Sequence, residues 1–140
     1  MKYKFSVTTI IIALLIVLII ALFYFQTIIR EQAVIESYTT LIKNAIHGFS
    51  IYTTTHDPSD YWVSVASYGA AVNSILTIGE NTSIYKERYS LNAVYQLLLN
   101  HPQWVDAEMD GLISALNVIA ENPSKRTSYT QLLDFYNSHN

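Results

Sequence analysis

The stretch "DAEMDGLISALN", residues 106 to 117, gathers three carboxylates, Asp106, Glu108 and Asp110, directly before Gly111. Oxygen ligands at alternate positions, followed by glycine, are how an EF-hand calcium loop opens. That loop takes ligands from its first, third, fifth, seventh, ninth and twelfth residues, the last a bidentate carboxylate. Ile113 suits the apolar eighth position and Ser114 the ninth, but the twelfth is Asn117, which has no carboxylate to offer. Glu108 is also longer than the short side chain expected third. A second pattern competes for the same residues. Val105, Met109, Leu112, Ile113 and Leu116 follow helical spacing, and burying each such side chain is worth about 1.5–3 kcal/mol. A loop would forfeit that burial. The expected structure is one helix from about Pro102, with Asp106 and Asp110 a turn apart on its solvent face near the positive end of the dipole. Asp106, Glu108 and Asp110 remain weak metal candidates only, and no cofactor is expected.

Other catalytic patterns are thin. His47, His56, His101 and His139 form no pair at ligand spacing, and there is no HExxH or GxSxG motif. His56, Asp57 and Asp60 are close enough in sequence for an acid–base or metal cluster. Yet Asp57 suits a helix N-cap before Pro58, and Asp60 suits the first turn. The four glycines lie far apart, so no phosphate-cradling loop can be built locally. With no cysteine, disulfides, thiolate catalysis and lipid attachment through cysteine are excluded. No enzymatic role is expected.

Tyrosine is the unusual residue, with 11 in the chain. Tyrosine and tryptophan combine an apolar body with a polar tip, which suits both small cores and binding surfaces. Tyr85 and Tyr89, a turn apart among Lys86, Glu87 and Arg88, are the expected exposed pair. Together with Trp62 and Trp104 they are the weak binding-site candidates. Of the others outside the anchor, Tyr38, Tyr52, Tyr61, Tyr68, Tyr95, Tyr129 and Tyr136, most are expected to fill a core with their hydroxyls wet, with a partner surface as the alternative. The "NTS" at Asn81 is a glycosylation acceptor only in a eukaryotic setting.

The elements that must position these residues begin with an anchor. Residues 5 to 25, "FSVTTIIIALLIVLIIALFYF", are apolar except for Ser6, Thr8 and Thr9, and carry no charge. A helix of this length spans a hydrocarbon core about 30 Å thick. The run is longer than a signal peptide's apolar segment and ends in Leu22, Phe23, Tyr24 and Phe25 rather than at a small-residue cleavage site. Lys2 and Lys4 precede it, which favours a cytoplasmic tail at residues 1–4 and the rest outside. So short a tail holds no catalytic or DNA-binding module. With Lys2 and Lys4 set aside, six basic residues face eleven acidic ones, which argues against nucleic acid.

Residues 26–140 suffice for one core. Ile35, Tyr38, Ile42, Ala45, Phe49 and Tyr52 alternate at three and four, so the first helix is expected to continue from the membrane to about residue 53, with Gly48 its weak point. A second helix follows Asp57 and Pro58, carrying Tyr61, Val65, Tyr68, Val72, Ile75 and Leu76 and stopping at Gly79. Its small residues around Gly69 would admit a close neighbour. "ENTS" is expected to cap a third helix with Leu91, Val94 and Leu98. The fourth starts near Pro102. A short last one carries Tyr129, Leu132, Leu133 and Tyr136. The fold class is all-α: an N-terminal transmembrane helix running into a small extracytoplasmic bundle of four longer helices plus a short C-terminal one. The expected role is that of a single-pass, non-catalytic cell-membrane protein that binds another protein as accessory, scaffold or regulatory subunit. Its expected contacts are the bilayer through residues 5–25 and a protein partner. An ectodomain sensing a small molecule or ion through a separate partner is the alternative, and a cell-envelope enzyme is a remoter one.

Overall fold

The computed structural model describes residues 7–78, 80 and 82–138, the side chains of Thr8, Ile78 and Trp104 excepted. Residues 1–6 of the expected tail and anchor, Gly79, Asn81 and His139 lie outside the described residues. Among the described residues the chain is helical and contains no strand. The helices are α1 (Val7–Thr55), α2 (Pro58–Ile78), α3 (Arg88–Asn100), α4 (Pro102–Asp106), α5 (Met109–Glu121) and α6 (Thr130–Ser138). Short 3-10 turns, Ser83–Glu87 and Arg126–Tyr129, precede α3 and α6. The chain divides into two units, Met1–Gln32 and Ala33–Asn140, with the division inside α1.

In the first unit the large apolar side chains from Ile10 to Phe25 are all about half exposed or more, for example Leu14 at 64% and Phe23 at 68%. The most apolar eighteen-residue window of α1 has mean hydropathy 2.8, and none of that window is buried. It is the one helix among the described residues long and apolar enough to cross a membrane.

The second unit has a core of its own. Tyr38, Ile42, Ala45 and Phe49 of α1 are fully buried, because three-and-four spacing returns them to one face. They meet Tyr61, Val65, Tyr68, Val72 and Ile75 of α2, Leu91, Val94, Leu97 and Leu98 of α3, and the buried faces of α5 and α6 in one cluster. Two expected core residues face outwards instead: Leu76 is 44% and Leu133 43% exposed. In α6 Phe135, three residues after Leu132, takes the inward position.

At Gly48 the backbone of α1 comes close to α2. A Cβ there would collide with the Ser64 hydroxyl. Ser64 has no exposure, and its Oγ donates to Asp60 O at 2.6 Å, so it has little room to move. The glycine that looks like a weak point in the helix is therefore a packing requirement. Gly69 does the same between α2 and α3: a Cβ would lie 2.5 Å from the Tyr95 ring. Gly48→Val is expected to cost about 1–3 kcal/mol through overpacking. Chemical unfolding of the full chain in detergent measures this, and an unchanged midpoint would refute the close approach.

The joint between α1 and α2 follows the expected capping. Asp57 Oδ1 accepts the Ser59 N–H at 2.8 Å, and this backbone bond, with the Ser59 hydroxyl, holds its carboxyl below the usual range. His56 ends α1 with φ 53, left-handed backbone that costs an L-residue roughly 1–2 kcal/mol. Glycine relieves that cost at some expense in unfolded-chain entropy. His56→Gly is expected to stabilise the fold by about 0.5–1 kcal/mol. A lower thermal midpoint for this variant would contradict it.

The single fourth helix expected from Pro102 is two helices. Glu108 has φ −129 and ψ 27, outside helical values. Its N–H donates to Val105 O, three residues back, at 3.1 Å, which replaces the α-helical bond and ends α4. Glu108 O then accepts from the N–H groups of Gly111 and Leu112, starting α5.

Candidate functional site

The carboxylates of the opening stretch are divided by that break. Asp106 closes α4, Glu108 sits in the turn, and Asp110 lies in the first turn of α5; all three are exposed. Asp106 and Asp110 therefore do not share one helix face. The apolar partners hold their place: Val105, Leu112 and Leu116 have no exposure and Met109 has 3%. Asn117, at the would-be chelating position, donates its Nδ2 back to Ile113 O at 3.0 Å. Asp106 lies beside Tyr52, whose phenol pKa is raised by burial first and by this carboxylate second. No group of three ligating side chains able to hold a metal ion occurs among the described residues.

The histidine–aspartate cluster is also accounted for. Asp57 caps α2, and Asp60 Oδ2 accepts the Thr55 hydroxyl at 2.8 Å. His56 is exposed, with its ring edge-on to Tyr52 at 6.0 Å. These groups tie α1 to α2.

The tyrosines separate into two populations. Tyr38, Tyr61, Tyr68 and Tyr129 are buried, and their hydroxyls have hydrogen-bond partners inside the protein. Tyr61 donates to Leu98 O at 2.8 Å and Tyr68 to Leu91 O at 3.0 Å. The tyrosines are seven residues apart on α2 and the carbonyls seven apart on α3, in reverse order, so the two bonds set an antiparallel register. Leu98 O lies in the last turn of α3, where carbonyls lack helical partners. Tyr129 donates to Pro123 O at 2.7 Å and bridges to the Tyr38 hydroxyl at 3.5 Å. Burial raises the pKa of all four; Tyr129 is pushed up to about 12. Helical periodicity alone does not show these bonds. The available hint is that a tyrosine on a buried face needs a hydrogen-bond partner.

Tyr85, Tyr89 and Trp62 do not form one site. Tyr85 is half-buried against the core and Tyr89 is 73% exposed. Arg88 lies between them, its guanidinium carbon 4.1 Å from the Tyr85 ring centroid and 4.3 Å from that of Tyr89. Its Nη1 donates to Tyr85 O and its Nη2 to the Tyr89 hydroxyl. Trp62 instead packs edge-on to Tyr61 at 5.1 Å, and Tyr61 in turn meets Tyr52 and Phe49 edge-on. Tyr61 bonds the C-terminal end of α3, whereas Tyr89 stands at its N-terminal end. The two aromatic groups are thus the length of a helix apart. The Trp104 side chain lies outside the described residues.

A feature not expected from single residues is the outer side of α2. After Asp60, α2 carries no charge from Tyr61 to Ile78. Its exposed side nevertheless presents Trp62 at 46%, Val63 at 64% and Leu76 at 44% exposure, with exposed Ala66 and Ala70 between. The outer side of α1 in the same unit is ordinary by comparison, with Glu36, Thr40, Lys43, Asn44 and His47 exposed. α3 is also uncharged after Arg88. Exposed apolar side chains gathered on one side of a helix, here interrupted by the neutral Asn73 and Thr77, mark an interaction surface when they form a patch. No protein-family model, curated protein or solved structure matches the chain.

Proposed function

We propose that this is a single-pass membrane protein that does no catalysis and binds another protein through the outer face of α2, as an accessory, scaffold or regulatory subunit. Residues 5–25 serve as the anchor, with the N-terminus cytoplasmic and residues 26–140 forming an extracytoplasmic helical bundle. The observation that carries this reading is the uncharged outer side of α2, where Trp62, Val63 and Leu76 meet solvent. Contiguous exposed apolar surface of this kind marks interaction sites, and a half-exposed tryptophan at one end supplies the aromatic anchor that interfaces favour. Asp57 and Asp60, the carboxylates nearest His56 in the sequence, are engaged in capping α2 and in the joint between α1 and α2.

A photo-crosslinker placed at Val63 of the full chain in its native membrane tests the reading. A discrete protein adduct is expected from Val63 and not from Asn44 on α1. Absence of any protein adduct at Val63 would overturn the proposal. Orientation is tested separately by Asn44→Cys, which a membrane-impermeant thiol reagent should label from outside. The chain's lack of native cysteine leaves that signal free of background.

A further inference from the structure

We infer that the end of the second unit at which α1 enters rests on anionic phospholipid headgroups through Lys86, Arg88, Tyr89, Lys125 and Arg126. The inference rests on residues 5–25 being a membrane anchor and is independent of the α2 face. Packing brings these residues together. Tyr38, early in the unit's share of α1, meets the Tyr129 hydroxyl at 3.5 Å, which puts the Arg126–Tyr129 turn at the entry end. The Ser83–Glu87 turn packs against it, and Arg126 Nε lies 4.0 Å from Glu87 Oε1. α3 follows that turn directly, so Arg88 and Tyr89 stand at the same end. All the unit's lysines and arginines except Lys43 therefore gather there. Lys86, Lys125, Arg126 and Tyr89 are exposed. Tyrosine with lysine and arginine is the set that anchors proteins at a membrane interface.

The charges of the unit are polarised. Glu36, Glu80, Glu87 and Glu121 balance the basic residues of the entry end, with Glu87 beside Arg126. The opposite end carries Asp57, Asp60, Asp106, Glu108 and Asp110 and, among the described residues, no lysine or arginine. The 21 residues of α2 make a helix about 30 Å long, several Debye lengths of about 8 Å. Each end thus meets a charged surface by itself, and an anionic surface repels the far end and accepts the entry end. The tether selects the occupant. Eight residues lead from Phe25, the last of the anchor, to Ala33, the first of the second unit. Even fully extended they reach only about 28 Å. Headgroup phosphates are therefore always within reach of this end, at a local concentration that a freely diffusing anionic partner must compete with.

The test uses the full chain, which has no cysteine, in phosphatidylcholine nanodiscs with and without phosphatidylglycerol. A fluorophore at Ser124→Cys is expected to be quenched by nitroxide-labelled headgroups several-fold more than one at Gln103→Cys, at the far end. Phosphatidylglycerol should widen the difference. Lys86→Glu, Lys125→Glu and Arg126→Glu together should remove that widening with helical circular dichroism unchanged. Salt at 1 M, where the Debye length is about 3 Å, should do the same without any charge substitution. Equal quenching at the two positions would overturn the inference. A difference that phosphatidylglycerol and salt leave unmoved would also overturn it, as proximity through the tether alone. A photo-crosslinker at Ser124 in the native membrane that yields a discrete protein adduct and no lipid adduct would give this end to a protein and overturn it too. Release of the chain from membranes by alkaline carbonate would overturn the anchor itself, whereas equal quenching in a carbonate-resistant chain leaves the anchor and the α2 face standing.

Discussion

Raising the pH above about 10 is expected to unfold the second unit cooperatively, with tyrosine as the cause. Tyr38, Tyr61, Tyr68 and Tyr129 are at most 4% exposed, and each has a folded pKa above its ordinary value through burial. Below pH about 10 their hydroxyls are neutral in both folded and unfolded chains, so their stabilising contribution is fully present. Above it the unfolded chain releases protons that the folded chain retains. Stability then falls by up to about 1.4 kcal/mol per pH unit for each tyrosine. Four together remove on the order of 5 kcal/mol per unit, the scale of a whole domain's stability. The window opens near pH 10 and extends past the folded value of Tyr129, about 12. Tyrosinate absorbance and helical circular dichroism, followed together in detergent, check this. Part of the tyrosinate signal should arrive in step with helix loss. Complete tyrosine ionisation with helix intact would show that the four hydroxyls are not buried.

Leu116→Ala and Asp110→Ala should behave oppositely. Leu116 has no exposure and belongs to the shared core, so its truncation is expected to cost about 2–5 kcal/mol, transfer and cavity terms together. Asp110 is exposed in the first turn of α5, and its loss should stay within about 0.5 kcal/mol, the range of ordinary surface substitutions. Calcium should leave both midpoints where they are. Denaturant titration of the two variants with and without calcium decides. A calcium-dependent stabilisation that Asp110→Ala removes would restore the ligand loop.

Much of the helical plan was legible in residue spacing. Tyr38, Ile42, Ala45 and Phe49 announce one buried face of α1, and Asp57 with Pro58 announces the start of α2. These features are local, set by the 3.6-residue turn and by capping, so they can be read without knowing what lies opposite. The break at Glu108 was not legible, because the apolar stripe from Val105 to Leu116 continues through it. A stripe records burial, and burial survives a change from α-helical to tighter hydrogen bonding. Leu76 and Leu133 likewise satisfy the periodicity and still face outwards. Periodicity finds a face but not how much of it a neighbour covers.

The candidate site divides in the same way. An apolar segment long enough to cross a bilayer, an acidic remainder and the lack of cysteine are properties of composition, and the sequence alone determines them. Which tyrosines are structural and which are displayed depends on distant residues. Tyr61 and Tyr68 are structural because Leu98 and Leu91 present carbonyls at the matching register across α3. Tyr89 is displayed, 73% exposed with Arg88 over its ring. The uncharged run in α2 is visible in the sequence, but the tertiary packing alone decides that Trp62, Val63, Ala66 and Ala70 are left on its outer side. A helix of apolar residues has no inward side of its own; the neighbours that pack on it decide which residues are covered.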